Sequence, residues 1–115
     1  MTVKLNPKAL AHARSLIREG KDTHDSRDDW SEHAPSADDE NSFIEKHGFG
    51  DYALWHLGID EEKSEETKGR YSFPYGDFAR VHRCAIIAIE SRAAQNNHGD
   101  IRDAVGALLD QIDED

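Results

Sequence analysis

A single cysteine, Cys84, stands among 115 residues, so no disulfide can close within the chain, and the sequence fits a reducing compartment. No apolar run approaches the ~18 residues that a membrane-spanning helix requires. The start, Met1-Thr2-Val3-Lys4-Leu5-Asn6-Pro7, lacks the apolar stretch of a signal peptide. These absences predict a small soluble protein of the cytoplasm. Cations are also scarce: 14 Lys and Arg face 24 Asp and Glu, for a net charge of −10. That balance opposes broad binding to nucleic-acid backbone, which needs many phosphate-neutralising side chains.

Catalytic signatures are missing too. The seven histidines, His12, His24, His33, His47, His56, His82 and His98, show no ligand spacing. There is no His-Glu-x-x-His, no Cys-x-x-Cys and no histidine pair at i and i+4, so no metal or other cofactor is expected. No serine sits in a Gly-x-Ser-x-Gly elbow, and no Gly-x-Gly-x-x-Gly or Walker sequence occurs. Cys84 lies in the apolar stretch Cys84-Ala85-Ile86-Ile87-Ala88-Ile89, where a thiol behaves as a small hydrophobe. The carboxylate runs at Asp28-Asp29, Asp38-Asp39-Glu40 and Glu61-Glu62 read as solvated faces, because acid–base chemistry needs burial or convergence.

What is present is a chain long enough for one domain with a modest core, residues 1–115. Its charge is uneven. Residues 1–21 carry five basic groups and one acidic, and residues 67–99 five basic and two acidic. Residues 22–66 carry three basic and fifteen acidic, and residues 100–115 one basic and six acidic. The acidic blocks favour solubility and discourage nonspecific association.

Periodicity outlines the elements. Asn6 is a good N-cap and Pro7 suits the first helical position; Leu10, Ala13 and Ile17 recur at helical spacing, and Gly20 ends the helix. Residues 22–35 read as a polar connector, with Trp30 packing it onto the core. Ser36 and Asp39 approximate a capping box for a second helix carrying Phe43, Ile44 and His47 on one face and stopping at Gly48. Alternation at Ala53, Trp55, Leu57 and Ile59, then at Tyr71, Phe73 and Tyr75, predicts a β-hairpin closed by an acidic loop, residues 60–69. A short helix over residues 51–57 is the competing reading, since Leu54 and Leu57 also fit helical spacing. Asp77 is predicted to cap a third, central helix with Phe78, Val81, Ala85, Ala88 and Ile89 as its stripe. Asp100 is predicted to cap a fourth, with a seam of Ile101, Val105, Leu108 and Ile112. The expected fold is α+β, mainly helical: about four helices packed around one β-hairpin.

One segment is dense in recognition chemistry. Residues 68–83 hold Lys68, Arg70, Arg80 and Arg83 with Tyr71, Tyr75, Phe73 and Phe78. If Arg80 and Arg83 sit on one helix they are neighbours, and with Lys68 and Arg70 they form an anion-binding face at a helix start. The plain structural reading is that the aromatics fill the core and the arginines pair with acidic loops. Tyr and Arg are also the residues that protein interfaces favour.

That segment, preceded by Trp55-His56-Leu57-Gly58-Ile59-Asp60, resembles an uncharacterised family of small acidic proteins of bacteria and archaea. The resemblance rests on the Asn6-Pro7-Lys8 start, the Asp29-Trp30-Ser31-Glu32 loop and the Lys68-Gly69-Arg70-Tyr71 and Phe73-Pro74-Tyr75-Gly76-Asp77-Phe78 stretches, nearly the whole chain. Locally, Lys68 to Tyr71, Pro74 and Val81-His82-Arg83 are similar to a short module of phage head-protease-associated proteins, from which Ser72-Phe73 departs as an insertion. Neither resemblance implies an activity or a catalytic residue.

The reading that results is a small intracellular binding or accessory protein that works through protein–protein contacts, with a protein partner or a second copy of the chain. Its surface would be Lys68, Arg70, Tyr71, Tyr75, Arg80 and Arg83. One alternative is a small-anion or nucleotide binder using those arginines. The other is a hydrolase whose acidic residues converge only in three dimensions.

Overall fold

A computed structural model describes residues 3–23, 30 and 34–114. In chain order the elements are β1 (Val3–Leu5), α1 (Pro7–Arg18), β2 (Asp22–Thr23), α2 (Ala37–Ala53), β3 (His56–Asp60), β4 (Tyr71–Pro74), β5 (Val81–His82), α3 (Arg83–Gln95) and α4 (Gly99–Glu114). A single 3₁₀ turn, Lys68–Arg70, leads into β4. The architecture is α+β and mainly helical, with four α-helices and a small antiparallel sheet among the described residues. No described helix is long and apolar enough to cross a membrane.

The predicted hairpin is present as β3 and β4, antiparallel, with Ile59 opposite Tyr71 and Gly58 opposite Ser72. It does not stand alone. β1 pairs with the other edge of β3, Val3 opposite Asp60 and Leu5 opposite Gly58, which makes three strands in the order β1-β3-β4. Closure needs more than three residues of β propensity: the Leu5 N–H beyond the ladder donates to Asp100 Oδ2 at 2.9 Å, tying β1 to the first turn of α4. The competing strand and helix readings of residues 51–57 divide that segment between them. α2 runs to Ala53, and the strand begins at His56.

α1 starts at Pro7 as predicted, but Asn6 does not cap it with its side chain. Asn6 is buried, and its Nδ2 donates to the carbonyls of Ala53 (3.0 Å) and His56 (3.3 Å), while its backbone N–H donates to Leu57 O at 2.8 Å. This one residue joins the start of α1 to the turn between α2 and β3. Ser36 and Asp39 form the full capping box of α2, each accepting from the other's backbone N–H. Gly48 interrupts α2 as predicted, with φ 83° and ψ 170°, a left-handed value that costs glycine nothing. The helix then resumes for Phe49 to Ala53 at a new angle rather than stopping.

The third helix is displaced from its predicted start. Asp77 does take backbone N–H groups, from Ala79 (3.0 Å) and Arg80 (2.8 Å), as a capping aspartate would. Phe78, however, adopts φ 69°, which a helix cannot contain, and the chain makes a tight turn closed by a Gly76–Val81 bridge. Val81–His82 then pairs in parallel with Asp22–Thr23, and α3 begins only at Arg83. Arg80 and Arg83 therefore do not share a helix.

The core joins three helices to the sheet. Ala9, Ala13, Leu16 and Ile17 of α1, Ile86, Ile89 and Ala93 of α3, and the predicted Ile101, Val105, Leu108 and Ile112 seam of α4 enclose Trp55, Leu57, Phe73, Tyr75 and Val81. Ala88, assigned to the buried stripe from the sequence, is exposed on α3, whereas Cys84, Ile86 and Ile87, read from the sequence as widening that stripe, are buried as expected. Trp30 is half-buried, its ring centroid 5.6 Å from that of His82. The rest of the polar connector, residues 24–29 and 31–33, lies outside the described residues, and so does most of the Asp29-Trp30-Ser31-Glu32 loop.

Candidate binding groove

The kink in α2 leaves a space that the hairpin and the start of α1 wall off. It is an open groove of about 590 Å³. Its apolar floor comes from Ile44, Phe49 and Leu54 of the kinked region together with Ile59 of β3 and Tyr71 of β4. Lys8 of α1, Arg70, and Glu65 and Glu66 of the acidic hairpin loop supply the charges on the lining. On that lining the Phe49 and Tyr71 rings stack on each other, with centroids 6.4 Å apart and planes at 23°.

The wall behind these rings is fixed. Tyr52 is 2% exposed, lies edge-on to Phe49 (6.2 Å) and Tyr71 (5.7 Å), and donates its hydroxyl to Glu40 Oε2 at 3.3 Å. Burial, with the Glu40 charge adding to it, pushes the Tyr52 hydroxyl well above the usual tyrosine range. Lys68 Nζ reaches Glu40 Oε1 at 3.2 Å and Asn41 Oδ1 at 3.2 Å, so the entry to β4 is clamped to the first half of α2. Beneath them His56 is buried, and its Nδ1–H donates to Tyr52 O at 2.8 Å. Desolvation lowers its pKa from 6.5 to about 4, against the Tyr52 carbonyl and the Glu40 charge, which favour the cation. The imidazole is neutral at physiological pH.

Arg70 holds the loop that forms the outer wall. Its Nη1 donates to Lys63 O at 2.6 Å and Glu61 O at 3.4 Å. Its Nε is sealed from solvent without an acceptor, an orphan donor that costs about 1–3 kcal/mol. The Tyr71 hydroxyl donates to Glu65 O at 2.8 Å, a second tie between strand and loop. Desolvation raises the Tyr71 pKa, with the neighbouring Arg70 opposing it.

The six residues singled out from the sequence thus separate. Arg70 and Tyr71 line the groove, while Lys68 lies behind it on Glu40 and Asn41. Tyr75 is 0% exposed: its hydroxyl donates to Leu54 O at 2.6 Å and lies 3.0 Å from His12 Nδ1, and its ring stacks on Trp55. Arg80 fastens the end of α1 to β2, donating to Gly20 O (3.2 Å), Asp22 O (3.1 Å) and Thr23 Oγ1 (3.3 Å). Arg83 forms a two-pronged pair with Asp113 near the end of α4, at 2.9 and 3.4 Å. The cations are engaged in four different places, not on one anion-binding face.

The structure adds groove residues that the sequence did not assign to the site: Lys8, Ile44, Phe49, Leu54, Glu65 and Glu66. The available signal was Gly48-Phe49-Gly50, an aromatic between two glycines, which breaks a helix while exposing a ring. Carboxylate chemistry elsewhere is structural in geometry. Asp77 Oδ2 accepts from His82 Nε2 at 2.9 Å, while Asp77 Oδ1 holds the turn of residues 77–80. Burial opposes the charge on Asp77, but the bonds from His82, Arg80 and Ala79 outweigh it and keep its pKa lowered. Among the described residues no three His, Cys, Asp or Glu side chains gather as a metal site would require. Comparison with known protein families, curated proteins and solved structures gives no significant match.

Proposed function

We propose that the protein is a small intracellular binding or accessory protein of the cytoplasm, and that it engages a segment of a protein partner in the groove between α2, α1 and the β3–β4 hairpin. The observation that carries this reading is a trough of about 590 Å³ with an apolar floor and a charged rim, whose walls are pinned by Tyr52, Lys68 and Arg70. Concave, largely preformed apolar surfaces with a few placed polar groups are where ligands bind. Tyr71 and Phe49 supply rigid aromatic area at low entropic cost.

A second reading, capture of a small anion by Arg70, has the orphan Nε behind it. The geometry weighs against it. Two loop carbonyls already occupy Nη1, and the anion would have to displace the loop to reach Nε. Inorganic phosphate raising the melting temperature of wild type but not of Arg70→Gln would favour it.

Gly50 offers a clean test. It lines the groove, its φ is not positive, and a Cβ built on it meets nothing within 4 Å. Gly50→Trp therefore adds an indole at the trough from a position where a Cβ has room, and removing a glycine from a helical segment helps stability by up to about 1 kcal/mol. A displayed random-peptide library selected on the wild-type protein should yield peptides that bind Gly50→Trp at least about tenfold more weakly, about 1.4 kcal/mol in titration. Enriched peptides that bind both proteins equally, or a selection that enriches none, would overturn the proposal.

A further inference from the structure

Resting on the groove reading, we infer that the segment it accepts is basic: apolar side chains on the floor, with a Lys or Arg head at the hairpin loop. The apolar floor alone does not choose an occupant; the charge around it does. Glu65 and Glu66 line the groove, and among the described residues neither has an ion-pair partner. They belong to a loop whose residues 60–67 contain five carboxylates and one lysine. Some of that charge is already answered. Glu61 is paired with Lys4 at 2.6 Å, and the Arg70 guanidinium is drawn inward onto loop carbonyls.

Two cations share the lining: Arg70, whose guanidinium is turned onto the carbonyls of Lys63 and Glu61, and Lys8, which comes from α1 rather than the loop and would oppose a basic head there. The hairpin loop beside the groove is acidic, within a chain of net charge −10. A field of that sign speeds encounter with cations and penalises acidic partners. Tyr71 and Phe49 are half-buried, and the aromatic surface they leave on the lining also suits a long basic side chain. Its aliphatic stem can lie on the rings while its head reaches the carboxylates, and an aromatic face attracts a cation.

The test uses two synthetic peptides of equal length, one of leucine, serine and lysine, the other with every lysine replaced by glutamate. Both are titrated into the full chain at low ionic strength, since exposed charge attraction is screened by salt. The lysine peptide should bind at least about tenfold more tightly than the glutamate peptide. Glu65→Lys/Glu66→Lys should weaken it by at least about tenfold, whereas Asp103→Lys/Asp110→Lys, the same charge change on α4 outside the groove, should weaken it less than about threefold. Unchanged melting temperatures confirm that both double variants fold.

Equal losses from the two double variants would reduce the attraction to bulk charge and overturn the inference. A glutamate peptide that binds more tightly and is displaced by Gly50→Trp would overturn the basic partner while leaving the groove standing. Binding of the lysine peptide that survives Gly50→Trp, or no binding of either peptide, would overturn the inference and count against the groove reading as well.

Discussion

Tyr75→Ala is expected to lower stability by about 3–5 kcal/mol, the range for truncating a buried aromatic side chain. The ring is 0% exposed, stacks on Trp55 at 5.5 Å and sits among residues of all three core helices. For a domain whose total stability is of order 5–15 kcal/mol, that loss leaves a substantial unfolded fraction. Tyr75→Phe separates packing from hydrogen bonding. It keeps the ring but strips the partner from the Leu54 carbonyl and from His12, and should cost about 1–3 kcal/mol. Urea unfolding, fitted for both midpoint and slope, measures each value. If Tyr75→Ala instead folds with wild-type stability, the residue belongs to the surface, as the sequence had suggested, and the described core is wrong.

Acidification from about pH 6.5 to about pH 4 is expected to remove up to about 3 kcal/mol through His56 alone, at 1.36 kcal/mol per unit of pKa shift. The sign follows from which state binds the proton. In the unfolded chain His56 titrates near its ordinary value of 6.5; in the folded protein burial holds it neutral down to about 4. Between those values the unfolded state takes up a proton that the folded state refuses, so stability is full above pH 6.5 and declines as pH falls. His56→Gln keeps an N–H donor for the Tyr52 carbonyl and cannot ionise, so it should flatten most of this slope. His12, whose pKa burial also lowers, contributes in the same direction. An imidazole resonance of His56 that titrates near 6.5 in the folded protein would contradict the buried geometry. The same decline bears on binding, because His56 supports Tyr52 (ring centroids 4.3 Å apart), and Tyr52 supports the aromatic wall.

Elements with local causes could be read from the chain. Pro7 and Gly20 bound α1, the Ser36–Asp39 box opens α2, and the seam of Ile101, Val105, Leu108 and Ile112 gives the buried face of α4, because capping and period act over a few residues. Features that depend on partners far away in sequence were not legible. β1 is three residues long and exists because Asp60 and Gly58 lie beside it. Asp77 was recognised as a capping residue for a sound reason, since its carboxylate does bind backbone N–H groups. What no pattern revealed is the left-handed Phe78, which turns a helix start into a strand-bound turn.

The candidate site shows the same division. Lys68, Arg70 and Tyr71 were identified by residue type; the structure places Arg70 and Tyr71 on the groove lining and Lys68 behind it on Glu40. Arg80 and Arg83 have the same chemistry but reach Gly20 and Asp113, and nothing in residues 68–83 specifies those partners. The groove itself was out of reach, since it arises from the angle at Gly48 and from Asn6 holding α1 against the end of α2.

The most direct measurement of the central claim is amide chemical-shift mapping on isotope-labelled protein, with a peptide enriched on the wild type as titrant. Perturbations should concentrate on residues 44–54, 65–66 and 70–71, and should vanish in Gly50→Trp. Perturbations confined to the outer face of α3 and α4, or spread evenly over the molecule, would contradict it.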